Sequence, residues 1–181
     1  MDEERFIDDF HKLLGRLVVA HARMDFNVGL QLRSIGFYCK VDVSDLLDPL
    51  KATFSQRLKK LRQLLLDYYD PAGDTAKEEF KAWYGRADNL RSLRNDYAHG
   101  RWAAPGKYNF NGNGSLADAE PLLVFTPLHW DMNPASPDVS TTLTIAEFAV
   151  QVVELEGLFR DFMRVRERYK YFERLLGLPN D

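Results

Sequence analysis

Residues 3–34, EERFIDDFHKLLGRLVVAHARMDFNVGLQLRS, set Phe6, Phe10, Leu13, Leu17, His21, Met24 and Val28 at spacings of three and four. That period places them on one face and predicts a long amphipathic first helix. Asp2, Glu3 and Glu4 fall where a helix N-terminus favours negative charge, and Gly36 marks the expected stop.

The same reading carries on along the chain. A second helix is expected over 49–69, with Asp48 as N-cap, Pro49 in the first helical position, and a stripe of Leu50, Phe54, Leu58, Leu61, Leu65 and Tyr68. Asp70-Pro71-Ala72-Gly73 breaks it. A third helix is expected over about 76–99, opened by capping-box spacing between Thr75 and Glu78 and closed by Gly100 in a left-handed conformation. Pro105 prevents its resumption. Residues 105–140 change character: an Asn-Gly turn lies within 111–114, and LLVFTPLHW (122–130) has strand-like composition. The last helix is expected from Thr144, with Glu147 completing a capping box, and Ile145, Phe148, Val152, Leu155, Phe159, Phe162, Tyr169 and Phe172 along its stripe. Gly177 and Pro179 end it. Unbroken, it would run roughly 50 Å, so a kink or a protruding end is expected. The expectation is an all-α fold: one domain over 1–181, an antiparallel up-down bundle of about four long helices, with a small β-hairpin or loop inserted at about 105–140 before the last helix.

The chain of 181 residues is long enough to bury a core without staples, and 45% hydrophobic and 28% charged residues argue against disorder. The net charge of -3 gives no bulk support for nucleic-acid binding, so any such role must rest on local patches. One cysteine, Cys39, rules out an intrachain disulfide. The acidic opening MDEERFIDDF is unlike a signal peptide, and no apolar run approaches the ~18 residues of a membrane span. A cytoplasmic protein without membrane contact is expected.

Chemistry concentrates in RNDYAH, Arg94–His99. Stepping ~100° per residue, Arg94 falls amid the apolar face formed by Trp83, Ala87, Leu90 and Tyr97. A guanidinium there is costly unless it meets an anion or strong acceptors. His99 follows at the helix end, and histidine is the side chain that exchanges protons near neutral pH. Asn95 and His99 are four apart and share a face, whereas Arg94 and His99 do not. Their convergence would need the reach of arginine, a distorted last turn or a second subunit. The alternative is structural: Arg94 paired to a carboxylate of another helix, with His99 capping the helix end.

The string LRNDYAHGRW (93–102) resembles the signature of the HEPN superfamily, an arginine followed by a polar residue and then a histidine. Arg94 matches the arginine, Asn95 the polar residue and His99 the histidine, with four residues between Arg94 and His99. Gly100 and Trp102 match the AHG-x-W ending of HEPN-like bacterial proteins, and the order of helices is similar too. The resemblance implies a homodimer in which motifs of two protomers form a composite site. It implies a metal-independent endoribonuclease, without cofactor, that leaves 2′,3′-cyclic phosphate and 5′-hydroxyl ends. Arg94, Asn95 and His99 would be catalytic, and Arg101 and Arg91 would bind the RNA substrate. It further implies a toxin–antitoxin or phage-defence setting with an antitoxin or defence partner protein. The alternative within the family is a non-catalytic nucleotide- or RNA-binding or protein-assembly module. Some toxin members carry a tyrosine two residues after the histidine that the partner nucleotidylates; this chain departs from them with Arg101.

Other candidates read as structural. Arg57, Lys59, Lys60 and Arg62, and the run Arg160, Arg164, Arg166, Arg168, Lys170 and Arg174, could bind RNA with their aromatic neighbours, but a solvated face with ion pairs to Asp161, Glu167 and Glu173 is favoured. His21 is expected in the core, His129-Trp130 in packing, and Cys39 as a structural thiol. His11 beside Asp8 lacks a third ligand, so no metal site is expected.

Overall fold

A computed structural model describes residues 3–68, 73–110, 119–127 and 140–169. Along them run α1 (Glu3–Cys39), α2 (Ser44–Leu47), α3 (Phe54–Tyr68), α4 (Asp74–His99), β1 (Arg101–Phe110), β2 (Ala119–Thr126), β3 (Thr141–Leu143) and α5 (Ile145–Arg168). The protein is helix-rich, with one small antiparallel sheet in the order β1-β2-β3. No helix among the described residues is long and apolar enough to cross a membrane. The Asn-Gly turn, His129-Trp130, Phe172, Gly177 and Pro179 lie outside the described residues, as does the side chain of Tyr68.

Two compact units are distinguished, one of Met1–Val19 with Ser92–Glu154, the other of Ala20–Arg91 with Leu155–Asp181. α1, α4 and α5 each give a segment to both.

In the second unit the predicted stripes are buried at Met24 and Val28 of α1 and at Leu58, Leu61 and Leu65 of α3, and the buried face of α1 continues through Leu32 and Ile35, which the sequence reading did not include. The Trp83 indole N–H donates to the Leu158 carbonyl at 2.9 Å, and its ring lies 4.6 Å from that of Phe162. His21 is a core histidine, edge-on to Phe54 at 5.0 Å. Of the basic residues, Arg164 meets Asp161 within α5 at 3.5 Å as the sequence reading expects. Arg57 instead meets Asp25 at 2.9 Å and Arg168 meets Glu79 at 2.7 Å, both on other helices, and Arg86 meets Asp161 at 3.0 Å.

Several boundaries differ from those read in the sequence. α1 passes through Gly36 and stops three residues later, where Lys40 takes a left-handed φ of 58° and Val41 N–H reaches back to the Gly36 carbonyl at 3.2 Å. That is the Schellman closure, made with lysine where glycine is usual. Gly36 serves packing instead: a Cβ there would lie 2.6 Å from Val43 Cγ2. α3 starts at Phe54, not Pro49, because two caps compete. The Asp48 carboxylate closes a turn on the Leu50 N–H at 2.9 Å, while Thr53 and Gln56 form a reciprocal box at 2.7 and 3.3 Å. Leu50, placed on the stripe by sequence, is 95% exposed. α4 begins at Asp74, and Glu78 bonds Lys81 at 2.7 Å. Its first turn therefore holds Thr75 rather than being capped by it.

In the first unit the sheet starts at Arg101, directly after α4, so strand structure begins earlier than the 105 expected, and it has three strands rather than a hairpin. Pro105 lies inside β1, between Ala103 and Lys107 where the pairing slips. An edge strand tolerates this because its outer N–H groups have no ladder partner to lose.

The start of α5 is as the sequence predicts. Thr144 N–H donates to Glu147 Oε2 at 2.7 Å, and Glu147 N–H donates to Thr144 Oγ1 at 3.1 Å. The Thr144 backbone N–H, and then its hydroxyl, hold the Glu147 carboxyl below the usual range. A depressed folded-state value makes this stabilisation complete above the ordinary 4.5 and lost as pH falls through the folded value. Glu147→Gln, which keeps an acceptor but does not titrate, should flatten the acid limb of melting temperature against pH. An identical limb in both proteins would contradict the assignment.

Candidate functional site

The motif occupies the last turns of α4, in the first unit. An aromatic cluster holds it. Tyr97 packs against Trp102, Phe125 and Phe148 at ring distances of 4.8, 4.9 and 5.7 Å. Trp102 lies 5.2 Å from Phe10 of α1 and 5.3 Å from Phe148 of α5. Polar ends of the cluster are satisfied: the Trp102 indole N–H donates to the Tyr97 carbonyl at 3.2 Å, and the Tyr97 hydroxyl to Gln151 Oε1 at 2.7 Å. Burial pushes the Tyr97 phenol above its ordinary value; the Gln151 bond opposes this and the charge of Asp96 adds to it. Tyr97 is therefore a neutral structural anchor.

Arg94 is half-buried on the same helix. Its Nη1 donates to Asn95 Oδ1 at 3.2 Å, while its buried Nε has no hydrogen-bond partner. Among the described residues no carboxylate pairs with it. The structural alternative required such a carboxylate. An unmet donor on a charged group costs more than the ~1–3 kcal/mol of a neutral one.

His99 is exposed at the end of α4. The helix is regular to its end, since Gly100 N–H donates to the Asp96 carbonyl at 2.8 Å. Five regular residues turn through about 140° beyond a full circle. A distorted last turn therefore does not bring Arg94 to His99, and their helix positions stay about 140° apart within one chain. Asn95 is half-buried and shares the side of the helix with His99.

Gly100 has no positive φ, so the left-handed residue expected there is absent; among the described glycines only Gly73 is left-handed, at 85°. The need at Gly100 is space. A Cβ would run into the Phe125 ring and stand 2.7 Å from the Thr126 carbonyl oxygen. Gly100→Ala should therefore cost about 1–3 kcal/mol by overpacking. Denaturant melts check this, and a neutral result would contradict the contact.

Arg101, first residue of β1, is exposed and without an ion pair among the described residues. It joins His99 along a surface cleft of about 540 Å³ whose walls also include Val124, Thr126 and Ser140. Those three were not read from the sequence. Alternation in LLVFT could have flagged Val124 and Thr126, but Ser140 comes from a distant stretch and gives no local signal. Arg91 is not among the described residues that line this cleft and is tied to Asp88 at 2.8 Å. No group of three His, Cys, Asp or Glu side chains among the described residues could hold a metal ion.

Compared with protein-family models, curated proteins and solved structures, the chain matches none of them.

Proposed function

We propose that the chain is a HEPN-type, metal-independent endoribonuclease acting as a homodimer, in the up-down four-helix arrangement the motif resemblance implies. The observation that carries this reading is Arg94: a half-buried guanidinium with an unmet buried Nε and no carboxylate partner among the described residues, on the helix that ends in an exposed histidine. An anion from outside the chain would complete it, and a phosphodiester fits a planar, fixed cation. The angular separation of Arg94 and His99 is resolved if the Arg94 of one protomer works with the His99 of the other. Val18, Val19, Val150 and Val153, in the same unit as the motif, leave apolar side chains exposed that a second subunit would cover.

In the reaction an RNA 2′-oxygen attacks the adjacent phosphorus and the bond to the 5′-oxygen breaks. The proton leaves the 2′-hydroxyl and one is delivered to the departing 5′-oxygen, so the exchange is balanced without metal or redox partner. His99 handles one of these protons, Arg94 stabilises charge gathering on the phosphoryl oxygens, and Asn95, bonded to Arg94, sets its orientation. Purified protein should cleave single-stranded RNA in EDTA to 2′,3′-cyclic phosphate and 5′-hydroxyl ends; intact RNA overturns the proposal. A toxin or phage-defence role, with a cognate partner protein, belongs to the same reading.

One observation favours a non-catalytic RNA-binding or assembly module instead. No hydrogen bond among the described residues orients the His99 ring, although catalytic contacts are often completed only in the complex. Overexpression separates the two: an active toxin arrests growth of its host and a binding module does not.

A further inference from the structure

Alternation along the sheet divides its residues between two faces. Trp102 and Phe125, which pair across β1 and β2, turn to the aromatic cluster. Arg101 and Ala103, and their partners Thr126 and Val124, turn to the opposite face and line the cleft beside His99. Among the described residues no carboxylate lines it, and Arg101 brings a full positive charge. Thr126 Oγ1 and Ser140 Oγ stand 2.8 Å apart. One hydroxyl donates to the other, which leaves the second proton and several lone pairs for an outside group. Ala103, Val124 and Pro127 supply apolar surface between these polar ends. The volume, about 540 Å³, falls within the range of small-ligand sites. Yet His99, Arg101, Ala103 and Ser140 are all exposed, so the cleft is open and a polymer can cross it.

We propose that this cleft holds one nucleotide of a single-stranded RNA, with its phosphate on Arg101, its base edge on the Thr126 and Ser140 hydroxyls, and its flat face on Ala103, Val124 and Pro127. The proposal rests on the ribonuclease reading and adds the place where the strand lies against His99. An anion is required by Arg101, a flat and partly apolar body by the floor, and a donor–acceptor edge by the hydroxyl pair; a nucleotide unites the three.

Binding of a fluorescent oligouridylate with 2′-O-methyl riboses, which cannot be cleaved, tests this by polarisation across a salt series with the full chain. Arg101→Gln should weaken binding and lower the slope of log affinity against log salt by about 0.7, the share of one phosphate contact on a single strand. Thr126→Val with Ser140→Ala should weaken binding several-fold and leave that slope unchanged. If Arg101→Gln changes neither affinity nor slope, or the double variant binds as well as wild type, the cleft proposal is overturned. Circular dichroism shows whether each variant is folded; Ser140→Ala alone, at an exposed position, serves if the pair is not. Cleavage of unmodified RNA is followed alongside. Arg101-dependent binding without cleavage upholds the cleft and sinks the ribonuclease, whereas cleavage with Arg101-independent binding does the reverse.

Discussion

His99→Ala protein is expected to cleave RNA about 10²–10⁴-fold more slowly than wild type, the span one positioned general acid or base supplies. The side chain is exposed, so its removal leaves the fold intact. Arg94→Ala is expected to lose about 10²–10³-fold, as when one preorganised donor to a developing oxyanion is removed. Arg94→Lys should not restore the rate, because the fixed planar fork, including the buried Nε, has no counterpart in an ammonium group. Initial rates in EDTA, with circular dichroism to verify folding, check all three. Unchanged cleavage in either alanine variant would remove that residue from the chemistry.

Phe148→Ala should produce the largest loss of stability, about 3–5 kcal/mol. Phe148 is fully buried and touches three other rings of the cluster, with centroids 5.9 Å from Phe10, 5.7 Å from Tyr97 and 5.3 Å from Trp102. Truncation leaves a cavity that rings anchored on α1, α4 and β1 cannot all move to fill. The melting temperature should fall by something on the order of 10 °C. The loss also reaches the site, since Tyr97 and Trp102 fix the last turn of α4 and the step into β1. An unchanged melting temperature would show that the cluster does not support the motif.

Periodic burial was legible in the sequence. Phe6, Phe10, Leu13, Leu17, Met24 and Val28 are buried as their spacing predicts, and the Thr144–Glu147 box opens α5. Helix ends were less so, because neighbouring signals compete over a few residues. Asp48-Pro49 lost to Thr53–Gln56, and α1 closed on Lys40 rather than at Gly36. Sheet content was underestimated for a different reason: pairing such as Leu123 with Leu143 joins residues distant in sequence, and Pro105 hid the strand that contains it. At the site, ~100° stepping put Arg94 amid an apolar face whose other members are buried, whereas Arg94 itself is half-buried. The cleft beside His99 depends on β1–β2 register and on Ser140, which no local pattern encodes.

Mixing two inactive proteins tests the composite site most directly. Arg94→Ala and His99→Ala chains, exchanged into one dimer, leave one site with both native residues if each site draws its arginine and its histidine from different protomers. Random exchange then restores about a quarter of wild-type cleavage, since about half the dimers are mixed and each holds one intact site of two. A mixture as inactive as its components, with exchange verified, would contradict a site shared between subunits.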